Sequence, residues 1–233
     1  MGIMYNGGRN GRFFSRFLLV MWMLVVKARA GQDLSTLFTL STPERSKFVD
    51  DNQEIQLSLE EAGGSGFTSY SEYLFGMFNL RIKMIPGDSA GTVTTFYFTS
   101  LGEAHDELDF EFLGKQTGEP VILQTNVYAS GVVIESNAFP CGLILVQTST
   151  ITLSLNTQQV VFYVDSIPIR VYPNIEAATG VPYLQGRPMY AFGTIWDDAC
   201  ADKVATAACA STKWWNQQQY EALDNSLIGQ LNG

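Results

Sequence analysis

The sequence predicts an all-β sandwich of two antiparallel sheets, and three observations predict it. Runs rich in β-branched and aromatic residues recur roughly every 8–15 residues, as in sandwich domains. Gly (21 residues) and Pro (8 residues) punctuate those runs. No long stretch carries a helical period; Trp214–Leu231 alone reads as a helix, a short C-terminal helical tail. A chain of 233 residues suits one large all-β domain. It is 46% hydrophobic, enough for a core, and its 16% charged residues are too few for a disordered polyampholyte.

Taken in order, residues 1–16 are polar and basic, and Phe17–Val26 is an apolar run. Ala28-Arg29-Ala30 then gives an A-x-A pattern before Gly31. This is the layout of a secretory signal peptide over 1–30, cleaved after Ala30. The apolar run is too short to span a ~30 Å hydrocarbon core. Export in soluble form, with no membrane attachment after cleavage, is the expectation. The other reading is a buried strand or helix of the domain itself.

Glu54–Leu59 alternates, with Ile55, Leu57 and Leu59 on one face. Gly63-Gly64-Ser65-Gly66 reads as a turn, and Tyr73–Ile85 as one long strand interrupted at Gly76. Pro86-Gly87-Asp88 is a turn. Thr92–Thr99, Leu108–Leu113, Ile122–Tyr128, Val160–Val164 and Pro188–Ile195 follow as strands. Between them, Gly142–Val146 is apolar on both faces, while Thr148–Leu153 is polar and β-branched and suits a strand.

Charge excludes several functions. The net charge is −9, from 14 basic and 23 acidic residues. Five of the basic residues (Arg9, Arg12, Arg16, Lys27, Arg29) lie in the leader, which has no acid, so a mature chain carries 9 basic against 23 acidic residues, net −14. Such a surface repels phosphate backbones, which argues against a nucleic-acid partner. It disfavours polyanionic glycans too, but not a neutral ligand. One His and three Cys exclude most His-rich or Cys-rich metal sites, and no metal or other cofactor is expected.

The segment that carries chemistry is His105-Asp106-Glu107-Leu108-Asp109-Phe110-Glu111-Phe112-Leu113-Gly114. On a strand Glu107, Asp109 and Glu111 share one face, and Leu108, Phe110 and Phe112 share the other. Three like charges in a row repel, so stability alone seldom keeps them. Glu107 and Glu111 stand about 13 Å apart at Cα, which lets their carboxyl groups approach to ~5–6 Å. That is the separation of a retaining glycosidase, whereas an inverting pair needs ~6.5–9.5 Å. Asp109 between them is placed to hold a nucleophile, and its charge to raise the pKa of a neighbouring Glu. A solvated acidic face or a calcium site is the competing reading. His105 at the strand entrance reads as structural.

This segment resembles the active-site signature of the plant xyloglucan endotransglucosylase/hydrolases, a branch of glycoside hydrolase family 16. Tyr73-Leu74-Phe75-Gly76, Pro86–Val93, Gln124–Val127, Phe162–Asp165 with Pro168-Ile169-Arg170, and Gly180-Val181-Pro182 with Pro188-Met189 agree with it in the family's order. The resemblance runs from about residue 44 to 198 with a gap. It implies a concanavalin-like β-jelly-roll over 31–198, followed by a truncated C-terminal extension over 199–233. It implies Glu107 as nucleophile, Asp109 as its helper and Glu111 as general acid/base. Gln124, Thr125, Asn126, Glu111 and Trp196 would bind substrate. It further implies a secreted, monomeric enzyme of the cell wall or apoplast, acting on xyloglucan polysaccharide with oligosaccharide acceptors. Cys200 and Cys209 sit where the family's C-terminal disulfides begin, so an oxidising exterior would pair them.

The chain departs from the family pattern in four places. Lys115 replaces the glycosylated Asn after the signature, and no N-x-S/T occurs anywhere. The Trp-Gly expected near the mature N-terminus is absent. The acceptor-side stretch after Asp198 and the final Tyr-Cys region are missing. Between Gly131 and Asn156 the sequence resembles nothing in the family. Back-translated and read one base earlier, Ile134–Thr152 yields a peptide close to the family's own, which points to paired frameshifts. The expected consequence is a damaged inner strand, and the alternative function is a catalytically impaired carbohydrate-binding or vestigial homologue.

Overall fold

The computed structural model describes residues 26–27, 33–141, 148–184 and 186–197. These residues form two seven-stranded sheets with antiparallel pairing. The outer sheet runs β13 (Ile167–Pro173), β12 (Gln159–Val164), β11 (Thr148–Leu155), β6 (Gly76–Lys83), β1 (Val26–Lys27), β4 (Glu54–Leu57) and β3 (Ser46–Val49). The site-bearing sheet runs β10 (Val132–Cys141), β9 (Val121–Ala129), β8 (Glu107–Leu113), β7 (Thr92–Thr99), β14 (Met189–Asp197), β5 (Ser65–Tyr73) and β2 (Phe38–Leu40). A 3₁₀ turn at Leu34–Thr36, capped by Asp33, and one helical turn, α1 (Glu176–Thr179), complete the described elements.

The core lies between the sheets and follows from strand alternation. Ile55, Leu57, Ile82, Leu153 and Phe162 point inward from the outer sheet, and Phe67, Phe98, Phe110, Phe112 and Val127 from the other. Phe110 meets Phe162 edge-on at 5.1 Å, and Phe78 lies 4.5 Å from Phe98. Each such ring contributes ~1.5–3 kcal/mol by leaving water.

The predicted Tyr73–Ile85 strand is two strands. β5 ends at Tyr73 in one sheet, and β6 starts at Gly76 in the other. The chain crosses there because Tyr73 and Phe78 both pack on Phe98, at 6.3 and 4.5 Å.

The segment unlike the family forms paired strands, including the one expected over Thr148–Leu153. Val132–Cys141 pairs with β9 along its length, with one irregularity between Val133 and Glu135. Thr148–Leu155 pairs with both β6 and β12 and buries Ile151, Leu153 and Leu155. Its alternation of Ile or Leu with Ser or Thr suits a sheet with one face inward. Gly142–Val146, the Trp214–Leu231 tail, Cys200 and Cys209 lie outside the described residues. Of the expected leader, Val26–Lys27 is described, as a short strand between β4 and β6.

Candidate active site

β8 lies between β7 and β9 in the middle of its sheet. Leu108, Phe110 and Phe112 are at most 1% exposed, so Glu107, Asp109 and Glu111 must face the other way. Register then gives each carboxylate its neighbours. Glu107 stands between Thr99 and Tyr128, Asp109 between Tyr97 and Asn126, and Glu111 between Thr95 and Gln124. The three carboxylates, Thr95 and Tyr97 of β7, and Thr194 and Trp196 of β14 line a cavity of about 250 Å³.

Two glycines fix the ends of this strand pair. A Cβ on Gly114, which closes the signature, would sit 1.9 Å from the Ser89 carbonyl oxygen. At the β9–β10 turn Ser130 and Gly131 both have positive φ, 55° and 79°, as a two-residue hairpin requires. The Gly131 N–H donates to the His105 carbonyl at 2.6 Å, and the Ser130 N–H to the Asp106 carboxylate at 2.9 Å. The residues that precede the carboxylate strand therefore also anchor the hairpin beside it.

Asp109 is the buried member of the trio, at 5% exposure. Burial first, then the Glu107 charge, push its carboxyl well above the usual carboxylate range; Glu111 adds to the rise and the Asn126 hydrogen bond opposes it. Asn126 Nδ2 donates to Asp109 Oδ2 at 3.0 Å. Asp109 Oδ1 has no other partner at hydrogen-bond geometry, while Glu107 lies close enough to help hold the Asp109 proton. Asp109 carries this shift because it is the member of the trio shut away from water. The Tyr97 hydroxyl is pushed up to about 12 by burial and by Glu107 and Asp109, so it remains a donor at neutral pH.

The predicted substrate residues divide. Gln124, Asn126 and Trp196 share the carboxylate face, with Trp196 41% exposed. Thr125 does not join them. It faces the core, fully buried, and its carbonyl and hydroxyl accept from Arg170 Nη1 at 2.8 and 2.9 Å. Residues of a strand alternate, so three consecutive ones cannot share a cleft.

Sequence reasoning missed Tyr97, Thr95, Thr194 and Ser136. Alternation along Thr92–Thr99 held the signal for the first two, since the buried Phe96 and Phe98 put Thr95 and Tyr97 on the opposite face. Tyr97 stacks on Phe192 at 5.0 Å, and the hydroxyls of Thr95 and Thr194 share a hydrogen bond at 2.6 Å. His105 Nε2 is 3.9 Å from a Glu107 oxygen, and its ring is 5.8 Å from Tyr128. Among the described residues no group of three or more His, Cys, Asp or Glu side chains is arranged to hold a metal ion.

The profile of glycosyl hydrolases family 16 matches residues 35–217. Xyloglucan endotransglucosylase protein 8 of Diospyros kaki is 38% identical over 205 residues, covering 87% of this chain and 68% of that protein. Probable xyloglucan endotransglucosylase/hydrolase protein 16 of Arabidopsis thaliana is 36% identical over 216 residues, covering 91% and 73%. Xyloglucan endotransglucosylase/hydrolase protein 15 of the same plant is 38% identical over 179 residues, covering 76% and 61%. Among solved structures, the Bacillus licheniformis β-glucanase superposes with a TM-score of 0.59 at 17% identity, covering 75% of this chain and 85% of that one. The laminarinase catalytic domain from Thermotoga maritima gives 0.56 at 16%, covering 76% and 87%. At these identities the structural likeness speaks for the fold, a β-jelly-roll.

Proposed function

Since the chain belongs to glycosyl hydrolase family 16, with xyloglucan endotransglucosylase/hydrolases as its relatives, we propose that it cleaves and religates a xyloglucan backbone by retaining double displacement. The observation that carries this reading is the carboxylate face of β8, with buried Asp109 between Glu107 and Glu111. Glu107 attacks the anomeric carbon while Glu111 protonates the departing glycosidic oxygen, giving a covalent glycosyl-enzyme. Glu111 then takes a proton from an acceptor hydroxyl, which displaces Glu107. A sugar acceptor gives religation and water gives hydrolysis. Asp109 acts beside the nucleophile. With its carboxyl protonated it donates to Glu107 in the resting enzyme and steadies the charge that returns when the glycosyl group leaves.

Gln124 and Asn126 on one side of β8 and Trp196 on the other would hold sugars. An exposed Trp ring is the surface on which a pyranose face packs. The neutral glycan suits a chain of net charge −9. The leader over 1–30 would direct export to the cell wall, where the protein would act as a monomer, and an oxidising exterior would pair Cys200 with Cys209. A binding protein of impaired turnover is the second reading. It is favoured by the altered stretch between Gly131 and Asn156, which supplies β10, the strand paired with β9. The test is transfer from xyloglucan to a fluorescent xyloglucan oligosaccharide by the exported protein, read by the shift of label to high mass. Binding without transfer supports the second reading instead.

A further inference from the structure

The altered strand β10 brings one hydroxyl into the site. Ser136 stands directly opposite Asn126 in the β9–β10 register. Its Oγ donates to Asn126 Oδ1 at 2.7 Å and accepts from Gln124 Nε2 at 3.1 Å. Gln124 Nε2 also approaches Asn126 Oδ1 at 3.3 Å. Two donors therefore converge on one end of the Asn126 amide. The other end, Nδ2, donates to Asp109 Oδ2 at 3.0 Å.

A side-chain amide has a donor end and an acceptor end, and its hydrogen-bond partners decide which way it faces. Turned over, Asn126 would set its N–H groups against the Gln124 N–H, and the exposed Ser136 hydroxyl would have to accept where it now donates. Its oxygen would then meet Asp109 Oδ2 and draw the Asp109 proton there, away from Glu107. Asn126 is 4% exposed and Asp109 5%, so bulk water does not compete freely for these groups.

We propose that Ser136 is a positioning residue for the reaction: it fixes the polarity of the Asn126 amide, so that the donor end of the amide faces Asp109 Oδ2. The inference rests on the catalytic assignment of Glu107 and Asp109 above. It gives a strand unlike the family a defined task in the site. Ser136 acts through Asn126 and Gln124 and needs no contact with substrate to do so.

The test compares Ser136→Ala and Ser136→Thr in the exported protein, reading kcat and KM for transfer together with the Asn126 side-chain amide signals in ¹⁵N NMR without substrate. Ser136→Ala should lower kcat about tenfold with KM within about twofold. It should also broaden or shift the Asn126 amide pair. Ser136→Thr keeps the hydroxyl and should restore both readouts to within about twofold of wild type. Unchanged amide signals and unchanged kcat in Ser136→Ala would overturn the proposal. So would equal losses in the Ala and Thr variants that track a fall in melting temperature. If the wild-type protein transfers no xyloglucan, the glycosidase reading fails by itself, and the amide signals still decide whether Ser136 sets Asn126.

Discussion

Arg170 of β13 reaches across the sandwich and bonds Thr125 of β9 twice, its Nη1 donating to the carbonyl at 2.8 Å and to the hydroxyl at 2.9 Å. Its guanidinium lies over the Phe162 ring at 5.3 Å, and Nη2 is 3.2 Å from a Glu135 carboxylate oxygen of β10. Thr125 is flanked by Gln124 and Asn126 on the site face, and Phe162 packs on Phe110, which lies between Asp109 and Glu111. One buried cation thus braces both strands that carry the site. Arg170→Met keeps most of the packing but removes both hydrogen bonds to buried Thr125, and should cost about 2–4 kcal/mol. Glu135 is half-exposed, so Glu135→Gln should cost less than about 1 kcal/mol. Urea unfolding of both variants checks the order; equal midpoints would show that Arg170 braces nothing.

Asp109 makes stability fall as pH rises. Its folded pKa is raised, so between the ordinary carboxylate value of 3.8 and the folded value the native state binds more protons than the unfolded chain. The favourable contribution is complete below the ordinary value and is lost as pH climbs through the folded one. Asp109→Asn removes the titration but keeps an acceptor for Asn126. Its stability relative to wild type should therefore improve steadily from about pH 4 upward while activity falls. Melting temperatures of the two proteins across that range give the comparison, and parallel curves would mean that Asp109 titrates normally.

Glu107 and Glu111 should separate by chemistry. Glu107→Ala should abolish transfer and hydrolysis with the fold intact or slightly more stable, since a like charge crowding Asp109 and Glu111 is gone. Glu111→Ala should recover part of its rate on an aryl glycoside whose leaving group needs little protonation. Rates on activated and natural substrates measure this. Retained turnover in Glu107→Ala removes it as nucleophile, and equal behaviour of the two variants means their roles are misassigned.

Where one face is core and the other is chemistry, the sequence is legible. β8 is the clear case, because Leu108, Phe110 and Phe112 set the register and so the face of the acids. β7 is recovered with the boundaries read from its β-branched and aromatic run, Thr92–Thr99. Thr125 falls on the core face because a contiguous motif on a strand is not a contiguous surface. β10 is illegible by resemblance, since its residues match nothing in the family. It pairs with β9 because backbone groups carry the ladder whatever the side chains. The Arg170–Glu135 bridge joins positions 35 residues apart on different sheets, which no local pattern reveals.

The proposed leader over 1–30 and the sheet would make opposing demands on Val26–Lys27. In the full chain these residues pair with Ile55 and Glu54 of β4 and with Arg81 of β6, and they sit between strands not otherwise bonded to each other. Cleavage after Ala30 would remove them. The β3–β4 ribbon has other anchors. Ile55 and Leu57 are fully buried, the Ser58 N–H donates to Ser65 Oγ at 2.9 Å, and the Leu34 N–H donates to the Asn52 carbonyl at 2.8 Å. Burial of two such side chains is worth about 3–6 kcal/mol, more than the net ~0.5–1.5 kcal/mol of each ladder hydrogen bond lost. The exported protein should therefore begin at Gly31 and remain folded, with backbone amides of β4 and β6 exchanging faster than in an uncleaved chain. Intact-mass measurement and amide hydrogen exchange on the two forms check both halves. A secreted product that keeps Val26–Lys27 would make β1 a strand of the mature sheet and end the signal-peptide reading.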